Sequence, residues 1–276
     1  MKNIAILADF TTASKSAVRV ASELAADLNC NLHFVHYCNI PSYTGTLGIT
    51  YNEKEIVGEL LDKLKAEYIP VLKKHNVAET KAQFIVNMGI SFVDSVVKEV
   101  KKIKPDLIVM GKSHSSFLER FFFGNHLSHV YDKLNVPLLA VPEKFPFKGF
   151  KSMAICSDLK SIKKSNGTNV LSVFASTYKS NVTILNVAPY LKKNEDKSIA
   201  AHLKRIDTLF QNTKLKFDVI EDLDFVDGLN NYCEKNKLSL VAVFPHSHSI
   251  LEKLFAPNNS KNVALEFDRP TLFIKE

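Results

Sequence analysis

The sequence predicts an α/β fold in which two similar domains each form an open, mostly parallel sheet of five strands with helices on both faces. Two observations support this prediction. In the first half of the chain, short runs that are apolar throughout alternate with longer segments of helical period, and the second half repeats that pattern. Runs without polar alternation are typical of parallel strands that helices cover on both faces. The strands therefore belong to buried parallel sheets.

The elements of the first half follow one another in a regular order. The strand-like runs are NIAILA (3–8), LHFVHY (32–37), AQFIV (82–86), DLIVM (106–110) and PLLAV (137–141). Between them, apolar residues recur at spacings of three and four, which predicts amphipathic helices. These residues are Ala17, Val18, Ala21, Leu24, Ala25 and Leu28, then Ile56, Leu60, Leu61, Leu64 and Tyr68, then Val93, Val96, Val97 and Val100. Such alternation predicts right-handed crossovers and a ligand site beyond the carboxyl ends of the strands, where Asp9, Tyr37 and Gly111 fall.

The repeat is visible as an ungapped match between residues 117–141 and 250–274, an offset of 133 that places Pro137 on Pro270. Near the start of each half, IAILADF resembles SMAICSDL with Asp9 on Asp158, an offset of 149. The second copy is therefore shorter by about sixteen residues, the difference between the two offsets. Duplication of one α/β unit follows from this match.

The missing piece is assigned to the loop CNIPSYTGTLGITYNEK (38–54) and part of the helix after it. This loop carries Tyr43, Leu47, Ile49 and Tyr51, which predicts either a lid over a site or a contact surface for another molecule. The domain boundary is predicted in PEKFPFKGFK (142–151), because two prolines and a glycine are typical of a linker. The predicted domains are residues 1–143 and 148–276.

Composition excludes several classes of protein. The share of hydrophobic residues, 46%, is that of a globular protein, and no apolar stretch is long enough for a signal peptide core or a membrane span. We therefore expect a cytoplasmic protein that does not enter a membrane, with its four cysteines reduced and mostly buried. The net charge of +7 permits an anionic partner, but the lysines are scattered in pairs and triplets, which favours solvated surfaces over a nucleic-acid interface.

The chain resembles the universal stress protein family in its tandem, two-domain form. The resemblance covers nearly the whole chain and rests on a first strand ending in Asp9, LHFVHY as second strand, DLIVMG as fourth strand and a thirteen-residue step from Gly111 to Gly124. It implies two Rossmann-like (adenine nucleotide alpha hydrolase-like) domains arranged as an internal pseudo-dimer. It also implies that the fifth strands, PLLAV and PTLFI, pair across the domain interface and so protect two sheet edges.

In nucleotide-binding members of the family, the loop after the fourth strand reads Gly-x-x-Gly, nine residues, then Gly followed by Ser or Thr. Glycines let backbone N–H groups approach a phosphate, and the amides at a helix N-terminus favour an anion. The resemblance therefore implies binding of ATP, with Mg²⁺, or of AMP. The implied contact residues are Asp9, Val35, Tyr37, Met110, Gly111, Lys112, His114, Arg120, Gly124, Asn125 and His126.

The match to this loop is partial, because His114 and Asn125 stand where the family pattern has the second glycine and the hydroxyl residue. Two interpretations stay open. The loop either binds a nucleotide, or Gly111 turns the chain while Gly124 permits close packing of a helix on the sheet. In the second copy Phe244, Pro245 and Pro257 replace Gly111, Lys112 and Gly124, so we expect that copy not to bind a nucleotide.

Other chemistry receives little support from the sequence. The histidines His114, His126, His129, His246 and His248 have no cysteine or carboxylate at ligand spacing, so no metal site is predicted. Asp9 and Asp158 either steer Mg²⁺ beside a nucleotide or cap the helices that follow them. No phosphate-loop, nucleophile-elbow or zinc-protease motif is present, so no dedicated catalysis is expected.

The predicted function is a stress-response or signalling module that holds ATP or AMP in the first domain, with protein partners or self-association. A nucleotide-free adaptor that binds other proteins is the alternative. A basic nucleic-acid-binding protein is a further alternative.

Overall fold

The computed structural model describes residues 1–39, 52–112, 134–156, 162–187, 203–204, 206–210, 213–220, 225–244 and 269–275. Contacts within the chain divide it into two compact units, unit 1 (Met1–Asn135) and unit 2 (Val136–Glu276). The domain bounds 1–143 and 148–276 stay a prediction, because they follow the sequence repeat and not these contacts.

The described part of unit 1 alternates strand and helix as predicted. Its elements are β1 (Asn3–Leu7), α1 (Thr12–Leu28), β2 (Asn31–Asn39), α2 (Glu53–Lys74), β3 (Ala82–Gly89), α3 (Phe92–Ile103) and β4 (Leu107–Lys112), with a 3-10 turn at Glu79–Lys81. The strands are parallel and lie in the order β3-β2-β1-β4. The apolar runs read from the sequence thus form a buried parallel sheet, with Ile4, Ile6, Phe34 and Val109 completely buried in it.

Helix α1 begins and ends at residues suited to those positions. The Thr11 side chain accepts a hydrogen bond from the Ser14 N–H and caps the helix N-terminus, a role for which threonine is favoured. At the other end Asn29 adopts the left-handed conformation, with φ 56°, and its N–H bonds the Ala25 carbonyl. The predicted apolar face of α1 is buried, since Ala17, Val18, Ala21 and Leu24 are all 0% exposed.

The loop predicted between the second strand and the next helix is shorter at both ends than the sequence suggested. Cys38 and Asn39 continue β2, and α2 already begins at Glu53. The rest of that loop, residues 40–51, lies outside the described residues. The two residues gained by β2 are paired, because Cys38 lies opposite Met88 and Asn39 opposite Gly89 in the ladder with β3.

Unit 2 contains β5 (Leu138–Pro142), β6 (Ser152–Cys156), α4 (Asn166–Tyr178), β7 (Asn181–Val187), β8 (Lys214–Ile220), α5 (Phe225–Lys235), β9 (Leu240–Val243) and β10 (Thr271–Phe273). Its strands lie in the order β5-β10-β9-β6-β7-β8. The run β8-β7-β6-β9 is parallel and repeats the order β3-β2-β1-β4 of unit 1, as the internal repeat predicted. Strand β5, the PLLAV run, is antiparallel to β10, the PTLFI run, with Leu139 opposite Leu272.

The segment predicted as a linker has no helix or strand between Glu143 and Lys151, but it is packed. The Phe150 side chain is 0% exposed, and its ring centroid lies 4.9 Å from that of Phe174 and 5.8 Å from that of Tyr178. Phe147 lies 4.9 Å from Phe150. These aromatic residues fasten the segment onto α4 of unit 2.

Among the helices described, none combines the length and the apolar character that a membrane span requires.

Candidate functional site

Unit 1 has a crevice at the carboxyl ends of β1, β2 and β4. The described residues that line it are Leu7, Ala8, Asp9, Val35, Tyr37, Phe92, Met110 and Gly111. Three of them lie side by side in the sheet, because Leu7 is opposite Val35 in β2 and opposite Met110 in β4. The strand order reverses at β1, and ligands of open α/β sheets bind outside the carboxyl ends of the strands at this kind of switch point.

The Asp9 carboxylate shapes the connection between β1 and α1. Its Oδ1 atom accepts hydrogen bonds from the Thr11 N–H at 3.1 Å and from the Thr11 hydroxyl at 2.6 Å. The Thr11 hydroxyl oxygen in turn accepts from the Ser14 N–H at 3.1 Å. Of the two roles left open for Asp9, capping of the helix is therefore wrong: Thr11 is the N-cap, and Asp9 holds Thr11 in place.

Phe10, the next residue, adopts a conformation that bulky residues rarely take, with φ 63°. Its ring lies 4.9 Å from the His36 ring and 6.2 Å from the Tyr68 ring, and the Lys63 ammonium lies 4.5 Å above it. The His36 Nδ1 atom lies 2.7 Å from the Ala8 carbonyl oxygen, to which it donates. These contacts hold the strained residue, and with it the backbone beside Asp9.

The aromatic side of the crevice comes from β2 and α3. The Tyr37 and Phe92 rings meet edge to face, with centroids 5.4 Å apart. The Tyr37 hydroxyl donates to the Gly89 carbonyl at 2.7 Å, which ties the end of β3 to β2. Burial raises the pKa of Tyr37 above its ordinary value, at which the hydroxyl is already protonated and a donor at neutral pH.

Gly111 lies inside β4, where the chain does not turn, so the suggestion that it turns the chain is wrong. A Cβ atom at this position would collide with the backbone of Ala13 and of Ser14 in the first turn of α1. Only a residue without a side chain lets α1 approach the end of β4 this closely. Close packing of a helix is thus one reason for this glycine, independent of any ligand.

Five of the sequence-predicted contact residues come together in the crevice: Asp9, Val35, Tyr37, Met110 and Gly111. Lys112 is 5% exposed and does not belong to the described lining. The remaining predicted residues, His114, Arg120, Gly124, Asn125 and His126, lie outside the described residues.

Sequence reasoning missed Phe92, His36 and Phe10. Phe92 follows the end of β3, so the rule that sites form at carboxyl ends of strands could have found it. No sequence signal predicts the positive φ of Phe10. Within the part of the chain that the structure describes, no group of three or more His, Cys, Asp or Glu residues is arranged to hold a metal ion.

The corresponding position in unit 2 is occupied by a bulky residue. Phe244, which the repeat aligns with Gly111, follows β9 directly and is 1% exposed. A buried phenylalanine thus takes the position in the repeat at which unit 1 has a glycine. Asp158, Pro245 and Pro257 lie outside the described residues.

Comparison with known proteins agrees with this architecture. The profile of the universal stress protein family matches residues 1–142. A universal stress protein from Archaeoglobus fulgidus DSM 4304 is similar in structure, with a TM-score of 0.70 and 11% identity over 99% of this chain and 96% of that one. A Pseudomonas aeruginosa UCBPP-PA14 protein described as a universal stress protein aligns with a TM-score of 0.58 and 11% identity, over 100% of this chain and 93% of the other. Identity at this level establishes a shared fold alone. No curated protein matches the chain by sequence.

Proposed function

The chain belongs to the universal stress protein family, and we propose that it is a stress-response module whose unit 1 binds ATP or AMP without a dedicated catalytic step. The observation that carries this proposal is the crevice lined both by Asp9, which follows β1, and by Gly111, which lies near the end of β4. Open α/β sheets bind their ligands at this place.

The lining has a composition that suits a nucleoside. The apolar side chains of Val35, Phe92 and Met110 offer contact area for a planar base, while Asp9 offers an acceptor for a hydroxyl or amino group. Small-molecule sites commonly combine an apolar lining with a few polar groups in this way. In this proposal Mg²⁺ would accompany ATP through the phosphates, since the described lining contains a single carboxylate.

The absence of dedicated catalysis is part of the proposal. The titratable side chains of the described lining are Asp9 and Tyr37, and both have structural hydrogen bonds. Within this lining there is no nucleophile next to a general base, which covalent catalysis needs.

A nucleotide-free adaptor is the second candidate, and the packing of Gly111 favours it. Because a side chain at this position would collide with α1, the glycine is required whether or not a ligand binds. The first glycine of the loop pattern, Gly111, is therefore not by itself evidence for a nucleotide.

The proposal is tested by isothermal titration of the purified protein with MgATP and with AMP, using the variants Asp9→Asn and Asp106→Asn. The asparagine at position 9 keeps an acceptor for Thr11 but removes the charge. We expect the wild type to bind and Asp9→Asn to bind at least about tenfold more weakly, since a hydrogen bond to a charged group contributes about 1.5–3 kcal/mol.

Asp106→Asn is the matched control. Asp106 accepts hydrogen bonds from the backbone N–H groups of Lys2 and Asn3, at the opposite end of the same sheet. We expect this variant to bind as the wild type does. A wild type that binds neither ligand would support the adaptor candidate instead, and equal binding by Asp9→Asn would remove Asp9 from the site.

A further inference from the structure

Tyr68 reaches from α2 to the loop that carries Asp9. Its side chain is 0% exposed, and its ring stacks on Phe34 at 5.5 Å and on Phe10 at 6.2 Å. At the tip of the ring, the hydroxyl lies 3.3 Å from the Ser14 hydroxyl, and either group can donate the hydrogen bond. Leaving a buried hydroxyl without a hydrogen-bond partner costs free energy. This contact therefore fixes the distance between α2 and the start of α1.

Ser14 connects Tyr68 to Asp9. The Asp9 N–H donates to the Ser14 hydroxyl oxygen at 3.1 Å, and the Ser14 N–H donates to the Thr11 hydroxyl, which donates to the Asp9 carboxylate. Both the backbone and the side chain of Asp9 are thus placed relative to Ser14. A shift of Ser14 would move the acceptor that Asp9 presents to the crevice.

The same hydroxyl also acts on Phe10, the strained residue. Burial raises the pKa of the Tyr68 hydroxyl, and its hydrogen bonds with Ser14 and with the Phe10 backbone oppose that rise. A positive φ in a phenylalanine persists only where surrounding contacts hold it. The loop from Asp9 to Ser14 is therefore held from α2 by Tyr68 and from β4 by the close approach of Gly111.

We propose that Tyr68 is a positioning residue for the crevice of unit 1: its hydroxyl, acting through Ser14, sets the Asp9 carboxylate where a bound nucleotide meets it. This inference rests on the proposed function. Tyr68 thereby couples α2 to ligand binding, although α2 contributes no described residue to the crevice lining. Removing the hydroxyl alone is expected to weaken binding while the aromatic stack on Phe10 and Phe34 remains.

The test compares MgATP and AMP affinity of the wild type, Tyr68→Phe and Tyr232→Phe by isothermal titration well below the unfolding transition. Tyr232→Phe removes a hydroxyl that donates to Asp218 at 2.8 Å in unit 2, so it is the matched control. Tyr68→Phe is expected to bind about three- to tenfold more weakly, the fold-change of a net hydrogen bond. Tyr232→Phe is expected to bind as the wild type.

A double-mutant cycle with Ser14→Ala distinguishes positioning from general destabilisation. If Tyr68 acts through Ser14, then Tyr68→Phe has no further effect on affinity in the Ser14→Ala background. A lower unfolding midpoint with unchanged affinity would show that Tyr68 is structural only and overturn the inference. Full additivity in affinity would overturn it as well. A wild type that binds neither nucleotide would instead overturn the proposed function, and the inference with it.

Discussion

At the scale of single residues, both helix packing and the proposed ligand binding require that position 111 has no side chain. Its missing side chain admits the backbone of Ala13 and Ser14, so α1 starts directly against the end of β4. The same bare backbone lines the crevice beside Asp9. A glycine at the end of this strand is therefore weak evidence for a phosphate site, because helix packing alone requires it.

Gly111→Ala is predicted to destabilise the protein by about 3 kcal/mol, because the backbone of α1 cannot yield as a flexible side chain could. The control is Gly58→Ala in α2, where a Cβ atom meets nothing within 4 Å. There alanine should stabilise by about 0.5–1 kcal/mol, since glycine is unfavourable inside a helix. Urea denaturation of the two variants measures both changes. Similar stability of the two variants would contradict the close approach at Gly111.

The site was predictable from the sequence only where a strand end marked it. Asp9 and Gly111 follow apolar runs and Tyr37 is the last residue of one, and the rule for parallel sheets placed them together. The sequence did not predict that Thr11 is the N-cap while Asp9 accepts hydrogen bonds from Thr11, because either side chain can cap a helix at this point. The choice depends on loop geometry, which includes the positive φ of Phe10.

At the scale of elements, α2 contains a proline in its interior, which helix propensity disfavours and tertiary packing compensates. Pro70 lies inside this helix, although proline lacks the N–H that a helix interior uses. The apolar spacing indicated a helical segment as far as Tyr68, and the helix continues to Lys74. Beyond the proline, Leu72 is 0% exposed and lies on the same buried face as Leu64 and Tyr68. Burial of this side chain stabilises the turn that proline weakens.

Pro70→Ala is predicted to stabilise the protein by about 1–3 kcal/mol, because the residue is exposed and alanine restores a backbone donor to the helix. The midpoint of urea unfolding should rise while the slope of the transition stays the same. A fall in stability would mean that the proline bends α2 as the packing of Tyr68 and Leu72 requires.

The sequence predicted most of the helices and strands of the first half, but it did not predict the residues at which they end. Each of the five apolar runs of the first half forms a strand, and each of the three periodic segments forms a helix. At the strands, errors of one to three residues arise at ends such as Asn39, where pairing with Gly89 extends a strand beyond its apolar part. Pairing depends on the neighbouring strand, which a single apolar pattern cannot report.

At the scale of the whole molecule, the sequence repeat predicted the repeated strand order, but it did not show that the segment between the repeats is packed. Prolines and a glycine in residues 142–151 predicted a linker. The same segment also contains three phenylalanines, two of which, Phe147 and Phe150, are buried. Gly149 adopts φ 81° with the Tyr178 ring against its Cα, so the chain bends closely around α4. Two residues of the predicted linker, Phe147 and Phe150, thus form part of the core of unit 2.

Phe150→Ala is predicted to release this segment. Deleting a fully buried phenyl ring costs about 3–5 kcal/mol, and this ring packs against the rings of Phe147, Phe174 and Tyr178. Lys148 and Lys151 are exposed, so cleavage after them by trypsin reports how often the backbone around them opens. Mass spectrometry of brief digests should show faster cleavage at both lysines in the variant than in the wild type.

Phe84→Ala controls for loss of a phenyl ring elsewhere, because the Phe84 ring packs on Phe34 in unit 1 at 4.6 Å. It should leave cleavage at Lys148 and Lys151 unchanged. If the wild type were cut there as fast as Phe150→Ala, the segment would behave as a free linker despite its buried rings. Slow cleavage in the wild type together with fast cleavage in Phe150→Ala would instead mean that the connecting segment is part of the core. Packing of its aromatic side chains would then stabilise it more than the turn residues around them loosen it.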